Sequence, residues 1–554
     1  ADERFADAEV IAAASLESIE EKETSRATHK ELTYRFDIEQ PLKLRNTTSN
    51  LLRLYMPNEE VSLAADMDDG IGTVVLKLTG KKEIERANTG RPISVPTRTD
   101  LVLFPPDISQ HLRPHLARQA SSWVDERADL PAAMQHLLER RTMPELGEIN
   151  ARTRRDPGST PSDLAAFLAS ADGVALALQG PPGTGKTTVT AEVIALLAAR
   201  GQRVAVSSNS HPAINHLLRR SQMAMENFGT NALVAKCTGS SARTEDEEFF
   251  RGTGVLCAQQ KQLQPEMVVV GGTVFVFAKH EEEPFDLLVI DEAGQVALAN
   301  LLAMASCARN ILVVGDQQQL SQPTRAAHPG DSGLSCLDYV MEHHAVVPPD
   351  RGVFLATSWR MAPPLAQVVS ELFYEGELTA APANAANRVE WSGPAQGLLY
   401  LPVPHSGNST SSDEEVEQVA ALVEALRGRP FQCSGRGGVK PGVLDWSEIL
   451  ITAPYNVQVS RLKRRLGPEA RIGTVDKFQG LEAAVAIHSL TSSDAEQAPR
   501  GLSFLLDPHR LNVAISRGQC LSILVGSPTL SSGIPSQVDD VVQLNRLCRL
   551  MAKS

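Results

Sequence analysis

A chain of 554 residues is too long for one hydrophobic core and, at ~100 to 200 residues per domain, predicts about three or four. Its 42% apolar share can fill several cores, yet no uninterrupted apolar run nears the roughly 18 residues of a membrane helix, which excludes a chain built on membrane-spanning helices. The formal charge of −13 excludes a surface that grips nucleic acid everywhere, since phosphates are held by Lys and Arg; charge alone favours an acidic enzyme of small molecules, unless motifs overturn it.

In chain order, the charged opening Ala1 to Glu9 lacks a signal-peptide pattern, and residues 1 to about 30 read as a charged, Ala-rich helix. Residue 1 is not methionine, which leaves room for a preceding domain. From Tyr34 to Pro105, alternating segments such as Val61 to Ala65 and Thr73 to Leu78, with a turn at Asp68-Asp69-Gly70, predict a small β domain of barrel type, about 34–106. Helical spacing returns over Asp107 to Arg141, where Leu112, Leu116, Trp123, Met134, Leu137 and Leu138 offer an apolar stripe. Arg152 to Ser162, rich in Arg, Pro, Gly and Ser, reads as a linker. Short apolar runs follow at Val174 to Leu178, Val204 to Val206, Met267 to Val270, Leu287 to Ile290 and Ile311 to Val314, each trailed by helix-like sequence. Fully apolar strands alternating with helices predict an α/β domain whose parallel sheet is covered on both faces. A second series starts near Val353 and continues through Leu398 to Val403, Ile449 to Ile451, Val485 to Ile487 and Leu521 to Val525, with Ala380 to Gly397 and Gly428 to Gly442 as surface loops. The expected domains are 1–145, 146–345 and 346–554. The seven cysteines are widely spaced and form no C-x-x-C pair, so neither a zinc site nor a disulfide framework is expected, and a reducing, cytoplasmic setting is.

Gly180-Pro181-Pro182-Gly183-Thr184-Gly185-Lys186-Thr187 satisfies G-x-x-x-x-G-K-[ST] between a predicted strand and a predicted helix. Such glycines let backbone N–H groups and a helix N-terminus face a phosphate; Lys186 is placed to bridge the β- and γ-phosphates and Thr187 to ligate magnesium, with Thr188 next along the helix. Leu287 to Ile290 runs into Asp291-Glu292, where Asp291 would hold the magnesium shell and Glu292 would orient or deprotonate the attacking water. Read alone, Asp-Glu would merely cap a helix. Gly315-Asp316-Gln317-Gln318-Gln319 ends another apolar strand, and Gln319 can sense the γ-phosphate or simply lie in a solvated turn.

These motifs, in this order over residues 174–528, resemble those of superfamily 1 helicases, specifically the 5′-to-3′ branch (1B) that includes the helicase of nonsense-mediated mRNA decay and its bacterial relatives, some fused to RecB-like nucleases. Ser358-Trp359-Arg360-Met361 looks like the family's arginine motif, Gly473 to Glu482 is similar to its fifth motif, and Leu511 to Arg517 to its sixth. The resemblance implies two tandem RecA-like domains, with the barrel on stalk helices ahead of them. Developing phosphoryl charge needs cations that arrive on closure, and Arg360 and Arg517 fall in the second α/β domain. By resemblance, Trp359 stacks on adenine, unless it is a core aromatic, and Glu482 accepts from ribose. Ser210, His211, Thr273, Pro454, Tyr455, Thr474, Val475, Asp476 and Lys477 match positions that touch the sugar-phosphate chain of single-stranded DNA or RNA, and the basic run Arg461, Lys463, Arg464, Arg465 reinforces that track or is one solvated helix face.

The pattern departs from the family in having no adenine-reading glutamine in Ser162 to Ala177, Gln179 lying too close to the loop, and in a short Arg219 to Glu266 segment that leaves little room for an inserted subdomain. No nuclease pattern is evident over 1–150, so a nuclease would lie outside this chain. The expected activity is an ATP- and Mg2+-dependent helicase acting as a monomer. The rivals are a P-loop switch that does not translocate and a small-molecule kinase.

Overall fold

The computed structural model describes residues 10–23, 28–36, 50–56, 59–68, 73–79, 97–103, 112–125, 130–239, 243–279, 284–320, 330–435, 438–478, 480–494, 498, 501–533 and 538–553. Six strands, β1 (Val10–Glu23), β2 (Thr28–Arg35), β3 (Asn50–Met56), β4 (Glu59–Asp68), β5 (Thr73–Thr79) and β6 (Arg98–Leu103), close a barrel in the order β1-β2-β5-β4-β3-β6. The helix expected up to about residue 30 is therefore corrected over its described part. Ala and Glu favour helix, but β1 has hydrogen-bonding partners on both sides, β2 and β6, and its inward positions alternate, with Ala14 buried and Ser15 and Glu17 exposed. Tertiary pairing overrides a propensity of a few tenths of a kcal/mol per residue. The barrel thus starts at Val10 rather than Tyr34. The Asp69-Gly70 turn lies outside the described residues.

The helical stretch after the barrel is two helices, Arg113–Asp125 and Ala132–Leu138, which bury Met134 and Leu137 but leave Trp123 exposed. The expected linker is also corrected, because it is mostly helical. Leu146–Arg155 ends at Asp156, whose side chain accepts from the Gly158 N–H, and Thr160–Ser170 follows with a proline in its first turn. Proline and serine here open helices, where a missing N–H costs nothing.

The first parallel sheet takes eight strands: β7 (Ala175–Gln179), β8 (Val204–Ser207), β9 (Leu233–Cys237), β10 (Leu256–Ala258), β11 (Met267–Gly271), β12 (Phe285–Ile290), β13 (Ala308–Gly315) and β14 (Gly352–Phe354), in the order β10-β9-β11-β8-β12-β13-β7-β14. Along β12, Leu287 and Val289 join one buried cluster while Leu288 and Ile290 join the other, the two-residue period of a sheet covered on both faces. Each fully buried Val, Leu or Ile contributes roughly 1.5–3 kcal/mol, so four in a row hold the strand end rigidly. The short Arg219 to Glu266 segment supplies the edge strand β10 and its neighbour β9. Val353, expected to open the second domain, pairs instead with Leu178 of the first sheet.

Beyond it come β15 (Thr357–Ser358) with β16 (Thr379–Ala380), and a small sheet of β17 (Arg388–Val389), β19 (Pro430–Gly435) and β20 (Gly438–Val443). The Gly428 to Gly442 loop is thus corrected to an antiparallel pair, β19 with β20. The second parallel sheet is β18 (Gly397–Pro402), β21 (Ile449–Thr452), β22 (Arg471–Gly473), β23 (Ala483–Ser489) and β24 (Gly518–Gly526), in the order β18-β24-β23-β21-β22. The fold is α/β with two parallel sheets of RecA-like type. One buried cluster runs from Leu288 and Ile311 of the first half into Leu372, Leu511 and Leu524 of the second. Among the described residues no helix is long and apolar enough to cross a membrane.

Candidate nucleotide site and nucleic-acid track

In a parallel sheet every strand ends at the same edge, so the loops that follow the strands collect there. The Gly180 to Lys186 loop follows β7, Ser210 and His211 follow β8, Thr273 follows β11, Asp291 and Glu292 follow β12, and Asp316 to Gln319 follow β13. In the second sheet Pro454 and Tyr455 follow β21 and Thr474 to Lys477 follow β22, again on a single edge.

The loop after β7 is set by backbone. Gly180 N–H donates to the Gly315 carbonyl at 3.0 Å, and Gly183 and Gly185 take φ of 75° and 82°, a region open to glycine without strain. Gly183 is required twice, because a Cβ there would also collide with Arg360 of the second half. Lys186 Nζ donates to the Gly180 carbonyl at 2.8 Å, and Thr184 Oγ1 to the Pro181 carbonyl at 2.8 Å. Pro182, Thr187 and Thr188 complete the turn into helix Lys186–Ala198.

Asp291 is buried, and burial, with the Glu292 charge next, pushes its carboxyl up to about 7 against the pull of Lys186. Glu292 is half-buried in left-handed backbone, φ 51°, a strained setting that for a non-glycine residue is enriched at functional sites. Burial likewise raises Asp316, whose Oδ2 accepts from Tyr374 Oη and from Gln319 Nε2, both at 2.7 Å. Gln319 therefore bonds to Asp316 beside Lys186.

The second half touches the loop directly. Ser358 Oγ donates to the Pro182 carbonyl at 3.0 Å, and Trp359 N–H to the Gly183 carbonyl at 2.8 Å. The Trp359 side chain is 53% exposed, so it is no core aromatic and has a face open beside the loop. Arg360 Nε donates to Glu482 Oε2 at 2.6 Å and its Nη1 to the Ser516 carbonyl at 3.2 Å. Glu482, expected at a ribose, also accepts from Gln519 Nε2 at 3.0 Å. Arg517 is 3% exposed; its Nη1 donates to the Leu481 carbonyl at 3.1 Å, but Nε and Nη2 are buried without a partner. Burial and the neighbouring Arg360 draw its guanidinium down to about 9, opposed by Glu292 and Glu482. A buried donor left unmade costs about 1–3 kcal/mol, more when charged, so these atoms call for an anion.

The expected nucleic-acid positions divide by exposure. Ser210 caps helix His211–Asn227, and His211 is exposed with Nδ1 at 3.1 Å from Nζ of a wholly buried Lys236. Thr273, Pro454 and Thr474 are half-buried, and Asp476 and Lys477 are exposed. Tyr455 and Val475 are not presented. The first packs its ring at 5.6 Å from Phe504, and the second sits in a small cluster with Val513 and Ala514. In the basic run, Arg461 pairs with Asp413 at 2.6 Å and Arg465 with Glu417 at 2.9 Å, on the face of a neighbouring acidic helix. Gln179 is buried between Gln317 and the Val347 N–H and faces no base. Sequence reading missed Lys236 and Tyr374, which carry no motif of their own, and gave Ser358 no role within the arginine motif; a buried Lys in an otherwise apolar strand was the one signal.

These features define a P-loop nucleotide hydrolase fold of two RecA-like halves, with the glycine loop on one and the arginines on the other. Two family models, each described as an AAA domain, match residues 162–329 and 333–529. These matches cover the same stretch as the motifs that resemble those of the superfamily 1B helicases. It is similar to the DNA replication ATP-dependent helicase/nuclease DNA2 of Gallus gallus, 26% identical over 63% of this chain and 34% of that protein. It is also similar to the Regulator of nonsense transcripts 1 homolog of Drosophila melanogaster, 27% over 63% and 33%, and to the DNA-binding protein SMUBP-2 of Rattus norvegicus, 27% over 62% and 40%. The chain thus spans roughly a third of the length of these curated relatives. A solved Arterivirus nonstructural protein 10 (helicase) overlays 93% of this chain and 78% of its own at 11% identity, with a TM-score of 0.39, too loose to bear on function.

Proposed function

We propose that this chain is a nucleic-acid-stimulated ATPase that hydrolyses ATP between its two α/β halves, moves 5′-to-3′ along single-stranded DNA or RNA, and unwinds duplexes. The observation that carries this reading is Arg517, a buried cation with two unmade donors, near Glu292 and across from the glycine loop. The γ-phosphate would satisfy it, and only when the halves are close, which ties hydrolysis to domain movement.

Gly180, Pro182, Gly183, Thr184, Gly185, Lys186, Thr187 and Thr188 would wrap the phosphates. Trp359 would stack on the base, and Glu292 would take a proton from water. Glu482 would have to release Arg360 before it could meet the ribose. Magnesium fits the site, because Asp291 is a buried carboxylate whose ionised form burial disfavours despite Lys186 and the Glu292 N–H, with Thr187 at the start of the adjoining helix. Bound there, the ion would supply positive charge to the β- and γ-phosphates. Among the described residues no group of three or more His, Cys, Asp or Glu is set for a metal, as suits an ion held largely by nucleotide oxygens. Ser210, His211, Thr273, Pro454, Thr474, Asp476 and Lys477 would grip the sugar-phosphate chain, and a sparse grip suits a motor that must let go each cycle.

Phosphate release from ATP, measured with and without single-stranded DNA or RNA, is expected to rise on addition of the strand. An unchanged rate favours a switch that does not translocate. Duplexes with a 5′ or a 3′ tail test direction, and unwinding of the 3′-tailed one alone refutes it.

A further inference from the structure

Tyr374 is wholly buried and ends the helix Pro363–Phe373, which begins shortly after Arg360. Its ring packs against Phe354 of β14, centroids 6.4 Å apart, so a second-half helix is anchored on the first sheet. Its hydroxyl donates to Asp316 Oδ2 at 2.7 Å and accepts from Asn512 Nδ2 at 2.8 Å. The same Asn512 Nδ2 donates to the Gln318 carbonyl at 2.8 Å. Asn512 lies in helix Pro508–Ile515, which runs straight into Arg517.

We propose that Tyr374 is a positioning residue for ATP hydrolysis: its hydroxyl ties Asp316, beside Lys186, to Asn512 on the helix that delivers Arg517. This inference rests on the proposed ATPase. Asp316 is a buried carboxylate whose charge partner is Lys186, helped by the neutral donors Tyr374 and Gln319 on Oδ2 and by the Gln318 N–H on Oδ1. Phosphates that engage Lys186 leave Asp316 more dependent on those donors, because a buried charge must be satisfied by whatever remains within reach. The tie to Tyr374 then tightens, and with it the hold on Asn512. A signal from the glycine loop thereby reaches the arginine helix through two hydrogen bonds, neither of which touches nucleotide.

Tyr374→Phe keeps the ring on Phe354 and removes both bonds. In the full chain it is expected to lower kcat about tenfold while KM for ATP stays within about twofold, the split of an interaction that matters after binding. Asn512→Ala cuts the tie at its other end, along with the bond to the Gln318 carbonyl, and should show the same split, and the double variant should lose no more than Asn512→Ala alone. A folded Tyr374→Phe with wild-type kcat, or single losses that multiply in the double, overturns the proposal. If Tyr374→Phe melts, Asn512→Ala decides: wild-type kcat overturns the proposal, and loss of kcat at unchanged KM supports it. A wild-type chain without ATPase sinks the proposed function itself, a different outcome from a wild-type that turns over alongside an unaffected variant.

Discussion

The two α/β halves bring buried charge of opposite sign to the place where they meet. The first half holds Asp291 and Asp316, carboxylates that burial makes reluctant to ionise. The second holds Arg517, a guanidinium that burial makes reluctant to stay charged. Each half alone stores an unfavourable electrostatic term, which a metal-bound triphosphate, as proposed, would offset on both sides. Such a site is poised for a ligand that arrives between the halves, and it gives up stability to be so.

The largest effect is expected for Arg517→Ala. Turnover is expected to fall by about a thousandfold or more, as for arginines that neutralise a transferring phosphoryl group, while the melting temperature does not drop, since a buried cation with two of its nitrogens unpartnered has been removed. A marked loss of stability with turnover intact would show a structural arginine. Next in size, Trp359→Ala is expected to raise KM for ATP about tenfold with kcat little changed, in line with loss of about 1–3 kcal/mol of base stacking; equal KM values remove Trp359 from the nucleotide site.

Asp291→Asn tests the carboxylate side by stability. With the folded carboxyl at about 7 and the unfolded near 3.8, the folded chain holds a proton that the unfolded chain has lost, so stability falls as pH rises through that window. Asn cannot ionise. The variant should match wild type near pH 4, exceed it by about 1–3 kcal/mol at pH 8 without magnesium, and lose hydrolysis. A wild-type curve flat from pH 4 to 7, paralleled by the variant, would mean that Asp291 is not strained by burial. The smallest effect is expected for Arg461→Ala with Arg465→Ala. These arginines are paired with acidic side chains at the surface, so single-strand affinity should change by less than about twofold and stability by under about 1 kcal/mol. A large drop in affinity would return them to the track.

Legibility followed distance along the chain. The glycine loop was readable because strand, turn and helix are contiguous and the φ demands of Gly183 and Gly185 are met by glycine itself. The central strands β7, β8, β11, β12, β13, β21, β23 and β24 were readable for the same local reason, a fully buried strand being apolar throughout, whereas β9, β10 and β22 were not named and β14 was assigned to the second half. Strand β1 was not, since Ala- and Glu-rich sequence favours helix until β2 and β6 pair with it from either side. The proline- and serine-rich segment near Asp156 was misread because the residues that break helices also begin them.

Which amino acids can hold phosphate, and that they fall at strand ends, is written in the order of the residues. Which of them reach the surface was decided by packing: Tyr455 and Val475 match the family's pattern yet are buried, and Trp359 was open to either reading until its neighbours left it exposed. The Asp316, Tyr374 and Asn512 tie was likewise beyond sequence, because its hydrogen bonds join residues far apart in the chain that share only a buried point between two sheets. A hydrogen bond depends on distance in space, and for such residues only the folded chain sets that distance.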